Sequence, residues 1–243
     1  MDIYRIADIT VKMACSGETL TKQARRYQIG PFGHEVTPDI TININSETLK
    51  ATKKKYPHLT LNECEYILTG FAFSRALLDF DGFCLHASAV ALENRAVLFS
   101  GPCGTGKSTH AGLWQQYFGA DRAVIINDDK PALRLMQDTF YAYGTPWSGK
   151  SSLNENIRVP LGAIVFLKQA KGNHIRRLNN KEAVQMLIYQ SLRPNSDRDK
   201  MDRLLTLLDV LLKNTPVCQM DCTVSLEAVK LAYDTIFKER VDQ

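Results

Sequence analysis

The chain has 243 residues, a formal net charge of +4 and six cysteines, a length that makes one large domain or two small ones with a substantial core. The basic excess is spread along the chain, and its densest cluster, Lys53-Lys54-Lys55, has the length of a solvated turn, so nucleic-acid binding is not expected. No run of about twenty apolar residues exists to cross a bilayer and no secretory pattern opens the chain, so a cytoplasmic protein without a membrane partner is expected.

Met1 to Pro57 reads as strand-rich. Asp8–Met13 and Ile40–Asn45 alternate apolar with polar residues, the period of strands with one wet face, and predict a small antiparallel sheet. Gly30-Pro-Phe-Gly33 is turn material and Lys53 to His58 an exposed loop. From Leu61 to Phe80 the apolar residues return at three- and four-residue steps, which predicts a helix with a broad buried face. Strands are expected at Phe83–Ala91 and Ala96–Ser100, joined by a hairpin turn at Glu93-Asn94-Arg95.

The second of these strands runs into Val97-Leu-Phe-Ser-Gly-Pro-Cys-Gly-Thr-Gly-Lys-Ser-Thr109, and Thr109–Phe118 has helical character. Strand, glycine-rich turn and helix together form a phosphate-binding loop. Gly101, Gly104 and Gly106 allow a tight backbone whose N–H groups point at phosphates, with Pro102, Cys103 and Thr105 between them. Lys107 is spaced to reach the β- and γ-phosphates of ATP, Ser108 to ligate Mg2+, and Thr109 continues a helix whose N-terminal end favours anions. The six cysteines contain no Cys-x-x-Cys pair, so reduced thiols are expected rather than a zinc site or disulfides; Cys103 differs only in sitting within the glycine loop.

Ala123–Asn127 is a further apolar strand and ends in Asp128-Asp129, where a nucleotide-binding sheet places carboxylates at its C-terminal edge. Magnesium held by Ser108 needs a partner on a second side. Adjacent side chains of an extended segment point to opposite sides, so one aspartate can face the metal while the other accepts a proton from a substrate hydroxyl. His86, in the strand before the loop, is placed to hydrogen-bond to one of them. The remaining pattern predicts a hairpin of Pro131–Met136 and Thr139–Tyr143, a loop at Gly144–Gly149 and a buried strand at Leu161–Leu167. Beyond it come a strand around Ile175, helices at Asn180–Leu192 and Asp197–Leu212, a strand at Pro216–Met220 and a last helix at Ser225–Phe237. Arg193 and Arg198 read as solvated surface residues.

Leu85-His-Ala-Ser-Ala-Val90, Gly101 to His110, Asn127-Asp-Asp-Lys130 and Tyr143-Gly-Thr-Pro-Trp147 resemble the HPr kinase/phosphorylase-like proteins, whose fold is shared with ATP-dependent phosphoenolpyruvate carboxykinase. The resemblance covers Phe83–Leu167 and, more loosely, Val217–Phe237. It implies an α/β fold with a central sheet flanked by helices, here residues 82–243, carrying residues 1–81 as a β-rich extension plus a helix. It also implies phosphoryl transfer from ATP with Mg2+, typically to a serine of a protein or peptide. Asp128 would be the base, His86 its support, Lys107 the phosphate-facing cation, and Asp129 with Ser108 the metal-associated pair. The Glu-Ile-Arg-Gly run of the bifunctional enzymes is absent and Trp147-Ser-Gly149 stands near its place, so the chain is more similar to the small relatives than to the bifunctional enzymes. Three alternatives remain open on sequence, a nucleotide-binding regulator or pseudokinase without transfer activity, a kinase for a small-molecule hydroxyl and a carboxykinase, and homo-oligomerisation is compatible with each.

Overall fold

A computed structural model of the protein describes residues 1–30, 37–194 and 197–238; residues 31–33 of the turn expected at Gly30–Gly33 lie outside the described residues. Strands β1 (Asp2–Ile6) and β2 (Ile9–Met13) form an antiparallel hairpin, and β3 (Ile40–Ile42) joins β2 in parallel. The small sheet is therefore mixed rather than antiparallel. Helix α1 (Glu18–Ala24) and helix α2 (Ser46–Lys55) occupy stretches that the alternation of apolar residues does not mark. Nothing on α2 is buried, so no apolar period announces it. Its start is fixed instead by Asn45, whose side chain accepts the Thr48 N–H at 2.8 Å, and Lys53–Lys55 form its last turn, where cations meet the negative end of the helix dipole.

Helix α3 (Leu61–Leu77) begins with a capping box between Thr60 and Glu63. It buries Phe73 and Leu77 against β1–β3 and also against Cys84, Ala132, Tyr143 and Trp147, so one core crosses from the first 81 residues into the remainder.

Among the described residues, nine strands make the main sheet. β4 (Gly82–Cys84), β8 (Ala132–Met136) and β9 (Thr139–Tyr143) form its antiparallel part. β10 (Arg158–Gln169) pairs with β9 through Arg158–Pro160 and then runs parallel to β6 (Arg95–Ser100) and β12 (Val217–Cys222). β5 (Ala87–Leu92) lies antiparallel to β6, and β7 (Val124–Asn127) antiparallel to β5, so β7 ends at the same edge as β6. β11 (His174–Arg177) closes the far side against β12. Helices α4 (Lys107–Phe118) and α7 (Leu226–Tyr233), the latter continued by a π turn at Asp234–Lys238, cover one face around Trp114, Phe99 and Val165. Helices α5 (Asn180–Gln190) and α6 (Arg198–Asn214) cover the other, around Leu98, Phe166 and Leu208.

The expected strand Phe83–Ala91 is in fact two. Between β4 and β5 the backbone turns to α5: the His86 N–H donates to the Gln190 carbonyl at 2.9 Å, and the Leu192 N–H to the Cys84 carbonyl at 3.1 Å. The hairpins β1–β2, β5–β6 and β8–β9 turn on Ala7-Asp8, Glu93-Asn94 and Gln137-Asp138, all at positive φ, the two-residue geometry that matches strand twist.

Candidate active site

The glycine loop leaves β6 at the sheet edge where β7 also ends. Gly104 and Gly106 have φ of 81° and 94°, and a Cβ built on either would stand in open space, so the loop presents bare backbone to the solvent side. Gly106 leads directly into α4, two residues before the helical start read from sequence, and the first-turn N–H groups of Lys107, Ser108 and Thr109 have no carbonyl within the helix to bond. Lys107 is buried, and its ammonium donates to the Gly101 and Pro102 carbonyls at 3.0 and 3.1 Å. Burial holds its pKa below the usual lysine value, against the opposing pull of Cys103, Asp129 and Asp128. Ser108, Thr109 and Cys103 are exposed. Such a loop can hold a polyphosphate, with Ser108 free to reach a metal ion.

Asp128 and Asp129 point away from each other. Asp128 is buried and accepts the Ser88 hydroxyl at 2.5 Å. Ser88 stands opposite Phe99 across the β5–β6 pair, and Phe99 packs with Ala111 and Trp114, so Asp128 belongs to the α4 face. Asp129 turns to the other side, where its Oδ1 lies 3.6 Å from His86 Nε2 and its Oδ2 is paired with Lys130. The division between the two carboxylates expected from alternation is present. The pairing is not the one the resemblance implied, because His86 faces Asp129 and not Asp128.

His86 reaches this place because the chain breaks between β4 and β5. Gln190, the last residue of α5, accepts the backbone N–H of His86, and its side-chain oxygen lies 3.1 Å from His86 Nδ1. The Ser100 hydroxyl donates to the His86 carbonyl at 2.8 Å. Burial lowers the pKa of His86 and the nearby Lys107 ammonium lowers it further, while Asp129 raises it, so the imidazole is biased towards its neutral form.

Asn127 shapes the turn that separates the aspartates: its side-chain oxygen accepts the N–H groups of Asp129 and Lys130 at 2.9 and 2.7 Å, and its amide donates to the Thr145 carbonyl. Beyond Thr145 the segment 144–149 forms the wall behind Asp129. Trp147 is stacked on Phe73 and donates to Thr69 at 3.1 Å. Gly149 donates its N–H to the Tyr66 hydroxyl at 2.8 Å and accepts from Gln23 at 2.8 Å. A Cβ on Gly149 would come within 3.1 Å of Asp129 Cβ, at a φ of 69°. Lys130 lies over the Tyr66 ring, 5.7 Å from its centroid.

The structure thus brings the glycine loop, His86, Asp128 and Asp129, all singled out from sequence, to one sheet edge, and sets beside them Ser88, Gln190, Lys130 and the Gln23–Tyr66 wall, to which the sequence attached no role. Ser88 carried a weak signal, being the one hydroxyl in an alanine-rich strand two residues after His86. The others are joined only by the fold. Arg193 stacks over Tyr189, outside this cluster. Among the described residues no group of three or more His, Cys, Asp or Glu side chains could hold a metal alone, and no helix is long and apolar enough to cross a membrane.

The molecule is thus a mixed α/β protein with a glycine loop, a lysine, a histidine and two carboxylates gathered at one edge of a curled sheet. No protein-family model and no curated protein matches the chain. Among solved structures, the HPr(Ser) kinase/phosphatase from Coxiella burnetii is similar over 65% of this chain and 95% of that one, at 9% identity and a TM-score of 0.37. That is a distant structural likeness and assigns no residue a role.

Proposed function

We propose that the protein is an ATP- and Mg2+-dependent kinase that phosphorylates a hydroxyl, most typically a serine of a protein or peptide. The observation that carries the reading is the convergence at one sheet edge of an open glycine loop with Lys107 and two carboxylates facing opposite ways, one beside a histidine. The loop Gly101–Thr109 suits the phosphates of ATP, since bare backbone at Gly104 and Gly106 leaves room for close approach. Lys107, now on the loop carbonyls, would turn to phosphate oxygens, and Ser108 with Asp128, on the α4 face, would hold the metal. Magnesium, when bound, supplies charge neutralisation between the β- and γ-phosphates.

The two aspartates take roles opposite to those the resemblance implies. Asp129, beside His86 and against the 144–149 wall, accepts the proton of the acceptor hydroxyl as its oxygen attacks. His86 orients that carboxylate, and Gln190 fixes the imidazole ring. Lys130 must release the Asp129 carboxylate for this to occur, and it then adds positive charge beside the transferring group.

The test is incubation with labelled ATP, Mg2+ and cell extract, followed by identification of the labelled residue. A labelled serine is the expected result. A chain that binds magnesium nucleotide and labels nothing would instead be a nucleotide-responsive regulator.

A further inference from the structure

A groove of about 460 Å³ opens beside Asp129, between α1, the N-terminal half of α3 and the segment 149–152. Its inner end is the catalytic wall itself, since Tyr66 and Gly149 line it and the same Gly149 packs against Asp129. Leu59, Tyr66 and Ile67 give it an apolar floor. Ile67 is 46% exposed, and Phe71, one turn further along the same helix face, is 42% exposed, so the apolar surface continues past the mouth of the groove. A compact metabolite would leave that extension uncovered; an extended polymer covers it.

Among the described residues the groove is lined by one carboxylate, Glu63, and one ammonium, Lys150. Glu63 accepts both the N–H and the hydroxyl of Thr60 in the helix cap. Both bonds fall on Oε2 and, with Lys150 and His58 nearby, hold Glu63 below the usual carboxylate range, so it stays ionised within the helix cap. Lys150 lines the groove and forms no ion pair among the described residues.

We infer that this groove is the acceptor-docking site, and that its occupant is an extended, serine-bearing peptide segment with an apolar side chain over Ile67 and an acidic residue facing Lys150. The inference rests on the kinase reading and narrows it: acceptor choice is made by the N-terminal part of the chain, while residues of the sheet edge perform the transfer. The apolar anchor supplies affinity by burial, and the acidic residue supplies discrimination against basic segments.

The experiment uses the full chain with labelled ATP, Mg2+ and a synthetic library of serine peptides randomised around the serine. The wild type should label peptides enriched in one apolar and one acidic position. Ile67→Asp should raise the peptide KM about tenfold or more, from loss of a buried aliphatic contact, without changing magnesium-nucleotide affinity. Lys150→Glu should invert the acidic preference to a basic one, an outcome that misfolding does not produce. Equal labelling and unchanged preference in both variants overturns the groove and leaves the kinase reading standing. A wild type that binds magnesium nucleotide yet labels no peptide, while it labels a small-molecule hydroxyl or nothing in extract, overturns the groove together with the peptide-kinase reading.

Discussion

The loop proposed to hold the nucleotide phosphates is the contiguous run Gly101–Thr109, whereas the wall behind Asp129 is drawn from residues far apart in the chain. Gln23 bonds to Tyr66, 43 positions away, and to Gly149, 126 positions away. The first region is local: a strand, a turn at positive φ and a helix N-terminus, each dictated by neighbouring residues. The second exists only when α1, α3 and the 144–149 segment have packed around Phe73 and Trp147. The difference teaches that binding a phosphate donor and placing an acceptor are separable here. Substitutions in the two regions should therefore fail in different ways.

The largest effect is expected at the local end. Lys107→Ala removes the cation closest to the loop, and transfer should fall by about three orders of magnitude or more, with weaker nucleotide binding. Calorimetric titration of magnesium nucleotide beside single-turnover transfer reads both quantities. Unchanged affinity and turnover would remove the glycine loop from the reaction.

The aspartates come next, because they stand on the border between the two regions. Asp129→Asn should lower turnover by about two orders of magnitude, as for loss of a general base, with magnesium-nucleotide affinity nearly intact. Asp128→Asn should instead weaken the magnesium dependence of binding by about tenfold or more. His86→Gln should act as a milder Asp129 change and move the pH profile of turnover. If Asp128→Asn loses only transfer and Asp129→Asn loses metal-dependent binding, the roles implied by the family resemblance hold, and those assigned from the His86 contact do not.

The same border marks where the sequence was legible. The spacing Gly101 to Ser108, the paired acids after an apolar strand and the histidine before the loop are short-range patterns, and each stands at the shared edge. Their partners were not visible, because alternation within an assumed continuous strand at Phe83–Ala91 misplaces His86. The strand breaks at Leu85-His86 when α5 offers Gln190 as a backbone acceptor, and no local residue encodes that. Helix α2 carries no apolar period because none of its residues is buried, and β1 is unmarked because its hairpin turns on Ala7-Asp8 without glycine or asparagine. The long helix α6 was readable because burial imposes its period, whereas α3 leaves Ile67 and Phe71 of its apolar set exposed and buries Glu65, Thr69 and Ser74; the ends of both moved by a few residues.

A third effect is confined to the local region and is one of stability. His110, in the second turn of α4, is buried in edge-to-face contact with Phe99, and its Nε2 has no hydrogen-bond partner among the described residues. Burial lowers its pKa from 6.5 to about 4. The unfolded chain then binds more protons between those values, so the stability from this group is complete above 6.5 and is lost as the pH falls towards 4. The loss should reach up to about 3 kcal/mol. Denaturant unfolding of the wild type and His110→Phe from pH 7 to 4 should show the variant losing less over this window. Parallel curves would mean that the site takes up its proton without cost.

The smallest effect should come from the assembled wall, and it sharpens the comparison most. Gln23 is 3% exposed and donates to the Gly149 carbonyl at 2.8 Å and to the Ser152 hydroxyl at 3.1 Å. It also accepts the Tyr66 hydroxyl and the Ser148 N–H, each at 3.2 Å. Replacing it with leucine keeps most of the volume and leaves those groups unpaired, which should cost about 1–3 kcal/mol of stability. Because Gly149 lies against Asp129, the loosened wall should also reduce turnover severalfold, through acceptor placement, while magnesium-nucleotide affinity stays at the wild-type value. A Gln23→Leu protein that loses nucleotide affinity in step with turnover would show that the two regions are not separable after all. One that loses stability alone would show that Gly149 keeps its position against Asp129 without the network, and that the wall is scaffold rather than part of the acceptor site.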